Sequence, residues 1–586
     1  MVFNVIVRGF GLQPKGRFTW RIQFRPQGGQ EPCADAVEMR GLRLLIATRR
    51  KLRYSFVACT AALLIAAPVA RIPALLAQAT SPPQGTGSAP VTPHPSLTLN
   101  ARLVVLDVVV TDNTGKPVDG LTEKDFQILE DGKQQRIRSV EPPSAHQLPP
   151  ASVAAGATAI FDPARPASFG RSPVNILVLD QLNTHFADSS FARRELHDFL
   201  ASQPALLPEP ATLLSLYDNH FKLLQVFTRD RDALLHALAS APPEYAWKLE
   251  VNGKADYGPI ERLDQSLRAL EDIAQSYARI PGRKNLIWVG GGFPSIDLTS
   301  IDSRDAQEVK DTLQHVTDVL LETHVTLYAI DPSSSAASVS EITDIDQQQF
   351  AQTAGDSLSG NFDPFNSSED FDRLGPLTGG RIIRNKNDIA QQIASSVDLG
   401  ASFYTIAYTP SSSSQVAARY RKIQVVCLRP GLSATTRSGY YVGTIQQERS
   451  ADTAAYDLTT AAESTVPLNG LSVTVEPGKL AGAPPNSYLI HVGVAGLNWK
   501  PNADGSATAS VYVMAASLDG KDKMQGHTLH GMTANAGPSA NLSDAAKTAD
   551  FTFAAQPMPK AATLRFIVRD SATGRMGSVD LPLARH

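Results

Sequence analysis

The chain has 586 residues, a formal net charge of -3 and 42% hydrophobic residues. That length exceeds one typical core, so three or four domains are expected. The near-neutral balance gives no global electrostatic reason to expect nucleic acid or an anionic membrane as partner.

Residues 1–79 read as a leader with a secretory signal. Arg49, Arg50, Lys51 and Arg53 form a basic cluster ahead of an apolar run at 56–70, and Ala77-Gln78-Ala79 offers a small-x-small cleavage site. That order is the one a signal peptide requires. Residues 1–38 fit no part of it, which makes Met39 an alternative start. The apolar run is shorter than the roughly 18 residues of a spanning helix. No stable membrane span is therefore expected in the mature form, the alternative being an uncleaved anchor. Thr48-Arg49-Arg50 matches a twin-arginine signal only in part, and Cys59 precedes most of the apolar run, which argues against a lipoprotein site. The mature chain is expected to be secreted, periplasmic or on the cell surface. It keeps Cys427 as its one cysteine, so no disulfide framework is expected.

Residues 80–97 form a Pro/Gly-rich tether. Over 98–142 a small β module is predicted from the apolar run 103–110, the turn 112–115 and a hairpin. The hairpin strands, 126–130 and 135–140, alternate around Asp131-Gly132. Residues 143–173, rich in Ala and Pro, read as a linker. Next comes Val174-Asn175-Ile176-Leu177-Val178-Leu179-Asp180, an unbroken apolar run that suits a strand buried on both faces. Its acid falls where the strands of a parallel sheet open their ligand crevice. Predicted helices near 189–201, 230–238, 260–279, 309–321 and 388–397 alternate with apolar runs at 212–217, 221–227, 285–289, 325–330 and 403–408. The joint between 217 and 221 is short enough to force an antiparallel pair. A last strand at 421–428 has no partner that the sequence identifies.

The fold class predicted from this alternation is α/β. It is a doubly wound, mostly parallel sheet over 174–443 with one antiparallel edge strand, flanked by small β-rich modules. A polar stretch at 333–372 interrupts it as a long loop. Residues 444–465 read as a second linker, and 466–586 as a β-sandwich-like domain.

Several segments resemble the von Willebrand factor A-type family, in its secreted, acidobacterial-type related branch. They are 120–126 with 130–132, 175–184, 281–289, 328–332, 378–381 and 437–441, and together they span about residues 100–443. The resemblance implies a metal-ion-dependent adhesion site, in which an Asp-x-Ser-x-Ser motif, a loop Thr and a later Asp hold Mg²⁺ for a partner's carboxylate. Here Asp180 matches the first acid and Thr184 the last hydroxyl, while Leu182 stands at the middle Ser. Gly290-Gly291-Gly292 stands where the second acid is expected, and 257–263 offers no loop Thr. The site is thus degenerate, with weak or absent Mg²⁺ held by Asp180 and Thr184. The alternative role for Asp180 is to organise its loop through backbone N–H groups.

Binding loops are expected around Asp180, Asn183, Thr184, Gly290 and Asp331. The Gly290–Gly292 run lacks the spacing of a phosphate cradle and reads as a tight turn. No Gly-x-Ser-x-Gly elbow and no His-Glu-x-x-His occurs, and His185 beside Asp180 reads as a hydrogen-bonded residue before a catalytic base. The expected function is non-enzymatic protein–protein interaction or adhesion with an unidentified protein partner. The alternatives are a secreted hydrolase using the same crevice and a structural envelope scaffold.

Overall fold

The chain divides into two compact units, Met1–Leu97 and Thr98–His586. The computed structural model describes residues 6–8 and 21–23 of the first unit. Of the second it describes 103–583, apart from 219–220, 242, 247–248, 250–258, 295–301, 334–372, 385, 412–418, 443–450 and 479–485. The signal, its cleavage site, the tether and residues 334–372 of the polar loop lie outside the described residues. In the first unit β1 (Ile6–Arg8) pairs antiparallel with β2 (Arg21–Gln23).

The second unit begins with β3 (Val104–Asp112), β4 (Phe126–Glu130) and β5 (Lys133–Glu141). The β4–β5 turn places Asp131 at φ 48° and Gly132 at φ 75°, the left-handed pair that a two-residue hairpin needs. The helix α1 (Pro150–Ala155) follows. Next come β6 (Val174–Asp180), α2 (Phe186–Ser202), β7 (Leu206–Leu216), β8 (Phe221–Asp230), α3 (Arg231–Ser240), α4 (Pro259–Ser276) and β9 (Lys284–Val289). They are followed by α5 (Ser303–Glu322), β10 (Val325–Ile330), α6 (Leu374–Thr378), β11 (Arg381–Ile383) and α7 (Ile389–Ala401). The strands β12 (Tyr404–Thr409), β13 (Arg419–Cys427), β14 (Leu432–Thr435) and β15 (Gly439–Val442) complete this part.

Two sheets result. One has the order β11-β10-β9-β6-β7-β8. Its pairs are parallel except β7–β8, which the short joint makes antiparallel. All seven residues of β6 are buried. The apolar stripe of α4, with Leu263, Leu267, Leu270 and Ile273, packs with Ile176, Val178, Leu286 and Trp288. Leu196, Phe199, Leu234 and Ile393 pack with Leu177, Leu179 and Ile287. The other sheet is antiparallel, ordered β14-β3-β12-β5-β4-β13-β15. Its core holds Glu130, whose Oε2 accepts from the hydroxyls of Tyr408 at 2.6 Å and Tyr440 at 3.1 Å.

The rest of the chain is α8 (Ala451–Glu463), β16 (Val473–Pro477), β17 (Ser487–Gly493), β18 (Lys500–Pro501), β19 (Ala507–Leu518), β20 (Met524–Ala536), β21 (Thr548–Ala554), β22 (Thr563–Asp570) and β23 (Met576–Pro582). A three-stranded sheet β16-β17-β21 and a five-stranded sheet β18-β19-β22-β23, with β20 on β19, are both antiparallel. They share the core of Ile490, Val511, Phe551, Phe553 and Phe566.

The fold class read from the sequence, a doubly wound, mostly parallel α/β chain with small β flanks, is corrected. Among the described residues strand outweighs helix, and most of the described strands lie in antiparallel sheets. The run at 403–408, placed by pattern in the parallel sheet, falls on β12, which pairs antiparallel with β3 and β5. The unassigned strand is β13, antiparallel to β4 and β15. The residues at 98–142 are therefore one part of a sheet finished some 300 residues later. The physical reason is that an apolar run satisfies either sheet, and only distant pairing decides between them.

The stretch 444–465 contains α8, which packs Leu458, Ala461 and Ala462 on Met514, Ala516, Leu518 and Ile567. Asp457 of α8 meets the buried Arg569 at 2.8 Å. Truncating Arg569 removes that ion pair from a largely buried place, together with the packing of its own side chain. Arg569→Ala is expected to cost about 3 kcal/mol and to open α8 to protease. Urea unfolding and limited proteolysis measure both, and unchanged cleavage at 451–463 would show that α8 is not anchored this way.

Candidate functional site

β6 lies between β9 and β7 in the sheet, so its carboxyl end sits at the middle of that edge. There Asp180 is fully buried. Its Oδ1 accepts from the backbone N–H of Leu182 at 2.9 Å and of Asn183 at 3.0 Å. Its Oδ2 accepts from Trp288 Nε1 at 3.0 Å and Asn183 Nδ2 at 3.4 Å. The first two bonds are the local loop closure that a short acidic side chain favours after a strand. The indole bond is long-range and comes from β9.

Thr184 Oγ1 donates to the Asp180 carbonyl at 2.5 Å and accepts from Gly291 N at 2.8 Å. Asn183 Nδ2 also donates to Ser266 Oγ at 2.8 Å, and Asn183 Oδ1 accepts from Arg262 Nε at 3.3 Å. Ser266 and Arg262 lie one turn apart on α4, where Ser266 Oγ donates to the Arg262 carbonyl at 2.9 Å. The glycine run fits against this knot. A Cβ at Gly290 would strike Asp180 Cβ and Thr184 Oγ1, and one at Gly291 would strike the Asn183 carbonyl. Gly292 has φ +76°, the left-handed conformation that glycine adopts freely.

The five residues singled out from the sequence are thus not one cluster. Asp180, Asn183, Thr184 and Gly290 are interlocked. Asp331 stands apart at the end of β10, where its Oδ1 accepts from Ser333 N at 2.9 Å and Ser333 Oγ at 2.7 Å in its own turn. Its neighbour Ile330 is tied to the glycine run through backbone, Gly290 N donating to Ile330 O at 3.0 Å. His185 is the N-cap of α2. Trp288, Ser266 and Arg262 were not identified from the sequence. Trp288 reads there as one more apolar strand residue, and only the i, i+4 spacing of Arg262 and Ser266 hints at a shared polar face.

These residues do not fit Mg²⁺. A hard cation needs oxygen ligands with free lone pairs, yet both Asp180 oxygens face N–H donors, whose positive ends would repel it. Thr184 Oγ1 is already engaged on both sides, Leu182 offers no donor atom, and Gly290–Gly292 supply no carboxylate. Among the described residues no group of three or more His, Cys, Asp or Glu is placed to hold a metal.

Burial pushes the Asp180 carboxyl up to about 6, against the opposing pull of its bonds from Asn183, Trp288 and Leu182. Around this knot the surface is partly apolar. Phe186, at the start of α2, is 43% exposed and Tyr245 is 40% exposed, their rings 6.0 Å apart. Gln181 Oε1 accepts from Glu244 N at 2.8 Å, which fixes the Tyr245 segment to the end of β6.

No family model matches the chain, and no curated protein matches it. Among solved structures, the chain is similar to the SpRpn10 VWA domain at 16% identity and a TM-score of 0.16, over 30% of this chain and 94% of that one. An endonuclease/exonuclease/phosphatase from Beutenbergia cavernae aligns at 13% identity and a TM-score of 0.10, over 32% of this chain and 39% of that one. Likenesses this slight carry no argument about the site. Among the described residues no helix is long and apolar enough to cross a membrane.

Two outcomes follow from the geometry. Asp180→Ala leaves the Leu182, Asn183 and Trp288 donors buried without an acceptor. It is expected to lower stability by about 2–4 kcal/mol in urea unfolding, and millimolar Mg²⁺ is expected to shift the midpoint of neither protein. A Mg²⁺-dependent rise in the wild type alone would show a working cation site.

The pH dependence has a definite sign. The folded Asp180 keeps its proton up to about pH 6, whereas the unfolded one releases it near 4. Its contribution to stability therefore falls as pH rises through that window, by on the order of 3 kcal/mol. Wild type minus Asp180→Ala, measured from pH 4 to 7, should show this slope; a flat difference would contradict it.

Proposed function

We propose that the chain is a secreted or cell-surface protein that binds another protein, without chemical turnover, through the loops at the carboxyl edge of its six-stranded sheet. The observation that supports this reading is the saturated Asp180 carboxylate beside the exposed Phe186–Tyr245 pair. A carboxylate whose lone pairs are taken by fixed protein donors orders the loops around it before any partner arrives. Such preorganisation lowers the entropic cost of association.

The binding energy would then come from aromatic contact. Exposed Phe and Tyr side chains on a fixed backbone are the type of residue that dominates protein interfaces, and Arg262 adds a nearby cation. This differs from adhesion in which a metal bridges to a partner's carboxylate, since no cation is required. The location outside the cell rests on the basic, apolar and small-residue order at 49–79.

The test uses the full chain as bait in envelope or matrix extract, followed by affinity measurement on whatever is captured. Phe186→Ala combined with Tyr245→Ala is expected to weaken that complex by about tenfold or more, with unfolding midpoints unchanged and with chelator without effect. Capture indifferent to the double substitution would move the interface elsewhere. Turnover of an ester, peptide or phosphate panel would replace this reading with a hydrolytic one.

A further inference from the structure

Among the described residues, the sheets of the second unit end in several edge strands, and all but one carry charge or proline or are short. An unpaired edge invites another strand, and proteins commonly block it with charge, proline, irregularity or shortness. β8 carries Lys222, Arg229 and Asp230 and three register shifts against β7. β16 carries Glu476 and Pro477, β21 carries Asp550, and β23 carries Asp580 and Pro582. β11, β14 and β15 have three or four residues, and β18 has two.

β20 is long and carries neither charge nor proline, and its one irregularity is a register shift at its Met524 end, where Leu518 of β19 faces Met524. Its 13 residues, Met524 to Ala536, contain no Asp, Glu, Lys, Arg or Pro. It pairs with β19 alone, in regular register from Gly526 to Ala536. Every described backbone hydrogen bond that it makes is to β19. At the usual rise the regular stretch from Gly526 to Ala536 is about 37 Å of strand edge with no partner strand among the described residues. Its two faces are already defined. His530 lies against Phe553 and Met532 against the sandwich core, while Leu529 lies against the α8 side. Gln525, His527, Thr533 and Asn535 are exposed.

We propose that this edge pairs, antiparallel and about a twofold axis, with β20 of a second copy of the chain. The argument for a second copy is the absence of charge. A charged edge selects an oppositely charged partner and repels its own twofold image, whereas β20 meets its image with only uncharged polar and small side chains. Thr, Asn, Gln and His facing one another across the axis can exchange hydrogen bonds. The contact is isologous, so it uses up the edge on both copies and closes as a dimer. The surface is separate from the loops around Asp180, so this inference stands or falls independently of them.

The test is the mass of the full chain over a range of concentrations, by sedimentation equilibrium. The wild type is expected to show a monomer–dimer equilibrium. His527→Lys with Thr533→Lys places like charges on one face of both strands and should raise the dissociation constant by at least about tenfold. A second variant, His527→Glu with Thr533→Glu, should be equally defective alone. Mixing the two should restore the dimer, which a merely misfolded variant could not do, and circular dichroism checks that each remains folded. Three outcomes would overturn the proposal. They are a wild type that stays monomeric at every concentration, a dimer indifferent to the lysines, and a loss that mixing does not restore.

Discussion

A carboxylate placed at the centre of a sheet edge, out of water, is the constraint on which the rest of this region depends. Burial alone would make Asp180 a liability, and it does push the group's pKa upward. What makes it tolerable is donors from several elements converging on two oxygen atoms. Two are backbone N–H groups of its own loop, one is the indole of β9, and the last is Asn183, which is itself held by α4. The strand ends and the helix are therefore ordered together. The glycines at 290 and 291 follow from the same geometry, since any larger residue would push β9's loop off the knot.

The opposite edge of the same sheet is occupied by the protein itself. Lys284 begins β9 fully buried, its Nζ donating to the carbonyls of Ile280 at 2.7 Å and Gly282 at 2.8 Å. Burial pushes its ammonium down to about 7, with the charge of Asp107 opposing. His324, just before β10, lies 3.6 Å from Asp107 of the antiparallel sheet. Arg437 reaches the Val105 carbonyl at 3.1 Å, and Ser438 the Pro376 carbonyl at 2.9 Å. These contacts join the two sheets at the amino edge, and the carboxyl edge is where loops and aromatic side chains face outward. The asymmetry follows from the direction of the parallel strands.

Local chemistry was legible in the sequence where it is decided locally. The turn at Asp131-Gly132 and the buried run of β6 depend on neighbours a few residues away, and both stand where the pattern places them. Membership of a sheet depends on partners hundreds of residues distant. That is why β12 was assigned to the wrong sheet and β13 to none. The helix α8 was hidden for another reason. Its buried face is made of Leu458, Ala461 and Ala462, and so small an apolar stripe in an Ala/Thr-rich run resembles a solvated linker. At the site, the missing ligands were visible as Leu182 and the glycines, but Trp288 was not visible as a donor. An indole in an apolar strand shows its N–H only when the fold brings an acceptor to it.

The most direct measurement is the indole N–H resonance of Trp288 in a ¹⁵N-labelled sample, assigned by comparison with Trp288→Phe. If Asp180 is saturated by protein donors, this proton exchanges slowly with solvent. Its shift then follows a titration near pH 6, and Mg²⁺ leaves it in place. A rapidly exchanging indole proton, or one displaced by millimolar Mg²⁺, would mean that the carboxylate is available to a cation and that the closed knot is not the resting state.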